Sequence, residues 1–409
     1  MNILFLTLTN IVSVKQHGIY TDLIRELSQN NRVYAVSFSD TNSEIEDGNV
    51  TVANLNINTS RREKNIIKKG IHTLRLGSLM KSVLAKKFQN VKFDLIIYAT
   101  PPITFNKTVL YFKKRDHAKT YLLLKDIFPQ NAVDIGMLRK SGLKGIIYRY
   151  FRNQEKKLYA ISDKIGCMSQ ANVDYLIKHN PVLDIHKVEV CPNSIEIQNI
   201  SVNDDEKNAL REKYDIPFNK KVFIYGGNLG KPQGIPFIIE CLKTQINNKD
   251  AFFLIVGDGT EYSKLEDFFS EFEPQNMKLY KLLPRDDYDK LLGVCDVGMI
   301  FLDHRFTIPN FPSRLLSYMQ AKMPILACTD ANTDIGQVIT EGNFGFWCES
   351  DNVNAFAKTV DLCCESDLDS LGNTAYEYLK KHYLASDSAL KILNSANYTA
   401  DTISGVGCK

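Results

Sequence analysis

Short apolar runs that end in glycine, proline or acidic residues recur along this chain, and segments with helical spacing of apolar residues separate them. Such runs are typical of strands that are buried on both faces of a parallel sheet. Strands that alternate with helices indicate the α/β class. In the first half of the chain, the predicted strands are residues 3–8, 32–38, 50–57, 93–98, 120–125 and 164–168.

The same alternation begins again after a charged, helix-forming stretch at residues 204–214. The predicted strands there are residues 221–225, 251–256, 277–280, 297–302 and 324–328. We therefore predict two Rossmann-like domains, residues 1–196 and 197–372, with the boundary close to Pro192–Ser194. Two such domains imply a cleft between them, and open α/β sheets bind ligands at the carboxyl ends of their strands.

Composition excludes several classes of protein. The net charge of +3 does not favour a globally basic nucleic-acid-binding protein. The nine cysteines form no CxxC pair, which favours free thiols in a reducing compartment over disulfides or a zinc site. No histidine or aspartate spacing predicts a metal site. We see neither a signal peptide nor a membrane span, so we expect a cytoplasmic protein with at most peripheral membrane contact.

Two glycine-bearing strand ends in the second half are candidate phosphate sites. The first contains Gly227, Asn228, Gly230 and Lys231 and leads into a helix whose N-terminus favours anions. A phosphate site and an ordinary tight turn explain this segment equally well. At the second strand end, Gly257 and Asp258 are explained more readily by a simple turn.

The segment from residue 306 to residue 327 gives a stronger signal. Two prolines end an extended loop, and a helix is predicted from Arg314 to about Ala321 with Ser313 as its N-cap. A guanidinium group at a helix N-terminus suits a diphosphate. We favour this interpretation over a capped helix with a solvent-facing arginine. The loop residues that this site would use are Asn310, Phe311, Pro312 and Ser313.

The first half offers fewer candidates. Gly18 follows His17 between the first strand and the first helix, where a loop would face the cleft. Asp126 ends a predicted strand and is a candidate base or substrate anchor. A hydrogen-bonded turn aspartate explains Asp126 equally well.

A basic amphipathic stretch runs from Arg61 to Lys92 and carries ten basic residues and one acidic residue. A second basic segment, Lys140–Lys157, contains Tyr148, Tyr150 and Phe151. Both segments fit adsorption to an anionic membrane surface. A solvated helix face and a nucleic-acid surface are the alternatives, and we favour the membrane.

Taken together, these motifs resemble the retaining GT-B glycosyltransferases of family 4, particularly bacterial enzymes of capsule and O-antigen synthesis. Among relatives, the enzymes that transfer N-acetylated deoxysugars of the fucosamine type are the most similar. The resemblance covers nearly the whole chain and is densest between Val222 and Phe346. The matching segments are residues 126–130, 192–194, 225–230, 255–259, 283–288 (which includes Arg285), 295–298 and 309–319.

The resemblance implies that the second domain holds a nucleotide diphosphate sugar, most simply a UDP-sugar, and that the first holds an undecaprenyl diphosphate-linked acceptor. It implies retention of configuration without a metal or cofactor, with positive charge stabilising the leaving diphosphate. It also implies that residues 373–409 form helices that pack back on the first domain. The nucleotide sugar, the lipid-linked acceptor and an anionic membrane are therefore the expected partners.

The chain departs from the family pattern at four positions. Many members carry two glutamates where this chain has Pro309 and Ser317, and an arginine and a lysine where it has Asn228 and Gln233. We hypothesise that Lys231 and Arg314 restore the positive charge and that Ser317 still contacts ribose. The alternatives are an inactive GT-B subunit that binds lipid or a partner enzyme, and a UDP-sugar 2-epimerase.

Overall fold

The computed structural model describes residues 1–56, 66–198 and 202–397, with the side chains of residues 66–76 and 397 left out of account. The chain folds into two units. The first comprises Met1–Pro129, Leu138–Glu196 and Ala385–Lys409, and the second comprises Gln130–Met137 and Ile197–Leu384.

The first unit is built on an eight-stranded sheet with the order β3-β4-β2-β1-β5-β6-β7-β8. Every neighbouring pair is parallel except β3 and β4, which are antiparallel. The strands are β1 (Asn2–Leu6), β2 (Arg32–Phe38), β3 (Ser43–Asp47), β4 (Val50–Leu55), β5 (Leu95–Ala99), β6 (Lys119–Leu124), β7 (Lys164–Cys167) and β8 (Val188–Val190).

Helices cover both faces of this sheet, which explains its apolar runs. In β1, Leu4 belongs to one core cluster, whereas Phe5 belongs to the cluster on the opposite face. Because successive side chains of a strand point to opposite faces, a strand buried on both sides has no polar alternation. The helices are α1 (Ile19–Ser28), α2 (Ile66–Lys87), α3 (Asn106–Asp116), α5 (Gly142–Ile161), α6 (Gln170–His179) and α15 (Ala385–Asn397).

The second unit contains a fully parallel six-stranded sheet with the order β11-β10-β9-β12-β13-β14. Its strands are β9 (Lys221–Asn228), β10 (Ala251–Asp258), β11 (Met277–Tyr280), β12 (Val297–Phe301), β13 (Ile325–Thr329) and β14 (Gly345–Glu349). Its helices are α4 (Gln130–Asp134), α7 (Asp204–Lys213), α8 (Ile235–Thr244), α9 (Tyr262–Phe272), α10 (Arg285–Leu292), α11 (Arg314–Gln320), α12 (Ile335–Glu341), α13 (Val353–Glu365) and α14 (Leu368–His382).

Both sheets confirm the predicted α/β class with two Rossmann-like units, and each predicted strand overlaps an observed one. Three strands were not predicted: β3, β8 and β14. The first of these is a polar strand at the sheet edge, with Glu44 and Glu46 exposed. Periodic burial is the signal used for prediction, so an exposed edge strand escapes it.

Two parts of the domain prediction need correction. The segment Gln130–Met137 lies in the second unit, where Asp134 accepts hydrogen bonds from Thr307 N (2.8 Å) and Thr307 Oγ1 (3.0 Å). Helix α14, which was expected to pack back on the first domain, also lies in the second unit and contacts α11. Of the C-terminal helices, α15 alone packs on the first unit, against α1.

No helix within the described part of the chain is long and apolar enough to span a bilayer. The eight cysteines of that part are all free thiols.

Candidate functional site

The two glycine-bearing strand ends of the second unit lie side by side. Strands β9 and β10 pair in a register that places Gly257 opposite Gly227. A Cβ atom on Gly257 would overlap Gly227 O, and one on Gly259 would overlap Leu229 O. These glycines are therefore needed for the close approach of two backbones, which supports the structural explanation for Gly257 without excluding a ligand above the strand ends.

Arg314 reaches across from α11 to the end of β9. Its guanidinium group lies over the ring of Tyr225, with Cζ 4.2 Å from the ring centroid. A Cβ on Gly227, whose φ is +128°, would lie 3.2 Å from Arg314 Nη2. The glycine thus leaves open the space next to the guanidinium group.

The surroundings of Arg314 leave its charge without an anion. Nη1 of Arg314 is buried and has no hydrogen-bond partner, and no carboxylate of the described residues forms an ion pair with it. Burial raises the pKa of Tyr225, Tyr288 and Tyr318, although Arg314 opposes this shift in each case. The phenols stay neutral, so the site holds a half-buried guanidinium group with a fully buried Nη1 atom, which a ligand anion would complement.

Further unsatisfied polar groups surround the loop before α11. Asn310 Nδ2 is buried without a partner, while the carbonyl of Asn310 accepts a hydrogen bond of 2.5 Å from Thr333 Oγ1. Asp330, which follows β13, also has an unpartnered Oδ2 atom. Because buried polar atoms are normally paired, such a group of orphaned atoms is typical of a site that binds a ligand or ordered water.

The structure confirms a helix that begins at Arg314 with Ser313 at the N-cap position, but Ser313 does not cap it through its side chain. Ser313 has φ −65° and ψ −19°, which is helical backbone, and its side chain makes no capping hydrogen bond. A capping residue needs extended backbone for its hydroxyl to reach the free N–H groups. The helix α11 has only seven residues. In the loop before it, the ring of Phe311 lies near that of Tyr383, with centroids 6.2 Å apart. The carbonyl oxygen of Pro312 accepts a hydrogen bond of 3.3 Å from Leu315 N. Ser317, at the position of a family glutamate, is half-buried on the same helix.

The two amides at the positions of the family's arginine and lysine bind each other. Asn228 Nδ2 donates to Gln233 Oε1 at 2.8 Å, and Gly230 N donates to the same oxygen at 3.2 Å. The pair fixes the loop without supplying charge. Asp258 accepts a hydrogen bond of 2.8 Å from Gly259 N through Oδ1, so this side chain also closes its own turn.

Lys231 lies at the other side of the same loop. It is exposed and lines a cavity together with Glu261, Lys264, Asp303 and Arg305, and the lining of this cavity does not include Arg314. Lys231 and Arg314 therefore do not share this cavity. Arg285, the first residue of α10, donates from Nε to Asp289 Oδ2 at 2.7 Å.

In the first unit, Gly18 immediately precedes α1 and donates its N–H to Asp22 Oδ1 at 3.0 Å. His17, Asp22 and Glu196 are close enough to be considered as metal ligands. Arg25, however, pairs with Glu196 at 2.8 Å and with Asp22 at 2.5 Å, so the acids already have a cation.

Asp126 lies just after the end of β6, where its N–H donates a hydrogen bond to Thr100 Oγ1 at 3.3 Å.

The basic segments were expected to carry an amphipathic membrane surface. Residues 61–65 of the first lie outside the described residues. Farther along α2, Met80 and Leu84 are buried in the core, while Leu79 and Val83 are exposed. Within residues 77–87 of α2, Met80 and Leu84 therefore serve core packing, while Leu79 and Val83 remain on the surface.

The second basic segment presents a different apolar surface from the one expected. At the start of α5, Leu143, Ile146 and Ile147 are 85%, 58% and 48% exposed. Phe151 packs against Phe128 with ring centroids 5.0 Å apart, so it is not available for a membrane. We call the three exposed aliphatic side chains the α5 tip.

Several contributors to the site were not predicted. Tyr225, Tyr288 and Tyr318 surround Arg314 from three separate elements. Each lies in a segment that resembles the family, but none was identified as a site residue. Asp330 follows a predicted strand in the same way as Asp126, so a search for acids at strand ends would have found it.

Comparison with known proteins agrees with this architecture. Residues 206–381 match the model of the family described as glycosyl transferases group 1. The "Probable glycosyltransferase WbjE" of Pseudomonas aeruginosa is 27% identical over 71% of each chain. Anabaena Alr3699/HepE, solved in complex with UDP-glucose, has a TM-score of 0.68 at 15% identity. The match covers 97% of this chain and 99% of the HepE chain. WaaG, described as a glycosyltransferase involved in lipopolysaccharide biosynthesis, has a TM-score of 0.66 at 12% identity, with 95% of this chain and 99% of WaaG covered.

The structural likeness shows the fold. The chain has the GT-B fold, and within its second unit residues 206–381 are similar to the glycosyl transferases group 1 family.

Proposed function

We propose that this protein is a retaining glycosyltransferase that uses a UDP-sugar donor and an undecaprenyl diphosphate-linked saccharide as acceptor, in capsule or O-antigen synthesis. The transferred sugar would be an N-acetylated deoxyhexosamine. The family match of residues 206–381 supports glycosyl transfer. Two relatives support the finer points: the HepE structure contains UDP-glucose, and WaaG is described with lipopolysaccharide biosynthesis.

The single observation that carries the proposal is the guanidinium group of Arg314, whose buried Nη1 atom has no hydrogen-bond partner and which pairs with no carboxylate of the described residues. A cation held partly away from water without an anion is costly, and the diphosphate of the donor would supply the missing charge. Gly227 leaves room beside Nη2 of Arg314 for phosphate oxygens. In the transition state, negative charge grows on the leaving diphosphate, and a fixed guanidinium group stabilises that charge.

In this proposal, the protein needs no metal to neutralise the diphosphate, and Asp126 takes part on the acceptor side as a base or anchor. Ser317 offers ribose one hydroxyl group where many relatives offer a carboxylate. The same substitution, together with Pro309, supports the alternative of an inactive subunit. The binding experiment below separates the two.

We also propose that the first unit adsorbs to the inner face of the cell membrane. The α5 tip would insert among lipid headgroups, while Lys140, Lys144 and Arg149, all exposed on or next to α5, would face anionic lipid. Burial of apolar side chains and attraction of basic ones act together at such a surface. Adsorption would bring the enzyme to a lipid-linked acceptor.

The function is tested by titrating UDP and UDP-sugars into the wild-type protein and the Arg314→Gln variant, by calorimetry and in the presence of a chelator. Because a hydrogen-bonded charge pair contributes about 1.5–3 kcal/mol, we expect UDP binding to weaken roughly tenfold to a hundredfold. The matched control is Lys243→Gln, which removes an equal charge from an exposed residue of α8 that pairs with Glu240.

Equal affinity of wild-type protein and Arg314→Gln for UDP would remove Arg314 from the donor site. A folded wild-type protein that binds no nucleotide sugar would favour the inactive subunit. Binding that requires a divalent ion would contradict the metal-free arrangement.

A further inference from the structure

A cavity of about 440 Å³ lies in the second unit, beside the first turns of α8 and α9. Its polar lining comprises Lys231, Glu261, Lys264, Asp303, His304, Arg305 and Ser350. None of the residues around Arg314 lines it. The family match accounts for the fold of this region but assigns no ligand to the cavity.

One buried wall atom of the cavity has no partner. Ser350, which follows β14, is 1% exposed, and its Oγ atom makes no hydrogen bond. The backbone of Ser350 is fixed by a hydrogen bond of 3.0 Å from its N–H to Thr329 O. A buried hydroxyl without a partner costs free energy, so a ligand oxygen at this wall would satisfy it.

The charges around the cavity leave a net positive balance. Arg305 makes two hydrogen bonds to Asp303, at 2.8 Å and 2.6 Å, and Lys264 pairs with Glu261 at 3.0 Å. Lys231 has no acidic partner among the described residues. The two paired cations and their acids cancel, and Lys231 supplies the remaining positive charge for an anion.

The remaining wall is apolar and comes from Ile135, Pro236 and Phe237. The cavity is several times larger than one phosphate group, so a ligand that fills it needs a body as well as an anionic group. The carboxylates of Asp303 and Glu261 can accept hydrogen bonds from hydroxyl groups, and the apolar wall can contact the C–H face of a sugar ring.

We propose that this cavity binds a phosphorylated saccharide, with the phosphoryl group held by Lys231 and Ser350. It is a second phosphoryl site, separate from the donor diphosphate at Arg314. The phosphoryl group could belong to a soluble sugar phosphate or to a lipid diphosphate that carries the sugar. Both sources present the same oxygens to the protein.

Calorimetry of the full chain with four probes tests the proposal: glucose 1-phosphate, glucose, inorganic phosphate and farnesyl diphosphate. The variants are Lys231→Met, Ser350→Ala and Arg314→Gln, with Lys243→Met as the surface control. We expect glucose 1-phosphate to bind more tightly than glucose. Its affinity should fall about tenfold in Lys231→Met and severalfold in Ser350→Ala, because each variant loses a donor to a charged group. Arg314→Gln and Lys243→Met should bind it as wild type does.

Tighter binding of farnesyl diphosphate than of glucose 1-phosphate, with the same two variants weakened, would identify the lipid-linked source; the reverse order would identify the soluble one. The proposal is overturned if the wild-type protein binds no phosphorylated probe, or if glucose binds equally well. It is also overturned if Arg314→Gln alone weakens binding, because the probe would then occupy the donor site. A wild-type protein that binds glucose 1-phosphate but does not bind UDP would count against the proposed function and leave this site standing.

Discussion

Asp330 is a carboxyl group that the fold holds in an unfavourable place. It is 2% exposed at the end of β13, and burial raises its pKa to about 6, although the N–H groups of Asn332 and Thr333 oppose the shift. A raised pKa means that the folded protein binds this proton more tightly than the unfolded chain does. Asp330 therefore lowers stability progressively as the pH rises from about 4 to about 6, and the full cost is present above pH 6.

We predict that Asp330→Asn stabilises the protein above pH 6 by roughly 1–3 kcal/mol and has little effect near pH 4. The amide oxygen of asparagine can accept the same two backbone hydrogen bonds, and the substitution removes the buried charge. Thermal melts of both proteins between pH 4 and pH 8 measure the difference. A difference in melting temperature that stays constant from pH 4 to pH 8 would contradict a raised pKa for Asp330. If a ligand pairs with the Asp330 carboxylate, Asp330→Asn should bind that ligand more weakly although the variant is more stable.

At the scale of residues, the sequence identified candidate site residues but not the side chains that contact them. Arg314 was identified from its loop and helix. Its contact with Tyr225 joins elements that are distant in the chain, and no local pattern reports it. Ser313 matched the capping signature and stands at the N-cap position, but its backbone is helical and its side chain makes no capping hydrogen bond.

At the scale of elements, α5 divides into two parts with different surroundings. Its second half packs into the first unit, where Leu158 and Tyr159 are buried, whereas the α5 tip is exposed. A helix that buries one end and exposes three aliphatic residues at the other has an apolar surface that its own unit does not cover. Such surfaces are common at sites of membrane or protein contact.

We predict that Leu143→Glu weakens binding to anionic vesicles about tenfold or more, because insertion of a leucine side chain contributes about 1.5–3 kcal/mol. Vesicle sedimentation with increasing anionic lipid measures the effect. Val182→Glu is the matched control, since Val182 is 97% exposed in the same unit and lies outside the α5 tip. Equal loss in both variants, or no loss in either, would contradict insertion of the α5 tip.

The strands show why runs of apolar residues predicted most of the fold. A strand such as β1 or β10 is buried on both faces, so nearly all of its residues are apolar and the strand can be predicted from them. Edge strands are defined by pairing instead. The strand β3 pairs with β4 through its backbone while its glutamates face solvent. This pairing cannot be predicted from the residues of β3 alone.

At the scale of the whole molecule, the chain order differs from the order of the units. Helix α15 belongs to the first unit, where Ala389 and Ile392 join the same core cluster as Leu23 and Ile24 of α1. The sequence suggested a C-terminal return to the first unit only through family resemblance. It could not place the boundary after α14, because both helices have one apolar face and only packing distinguishes their neighbours.

We predict that Ile392→Ala destabilises the first unit by about 2–4 kcal/mol, since the isoleucine side chain is fully buried. Leu390→Ala, on the exposed side of the same helix, should change stability by less than about 0.5 kcal/mol. Differential scanning calorimetry with and without UDP measures both. If UDP binding fails together with the first unit in Ile392→Ala, the second unit does not hold its own structure.

The return of α15 also sets an order of events during synthesis. The ribosome makes α1 early, but the residues that cover its apolar side come only after Ile197–Leu384 have been made. At about 5–20 residues per second, that interval is on the order of 10–40 seconds. During this time the side of α1 that contacts α15 lacks that partner, so a chaperone that shields apolar surface has a site to bind on the nascent first unit before translation ends.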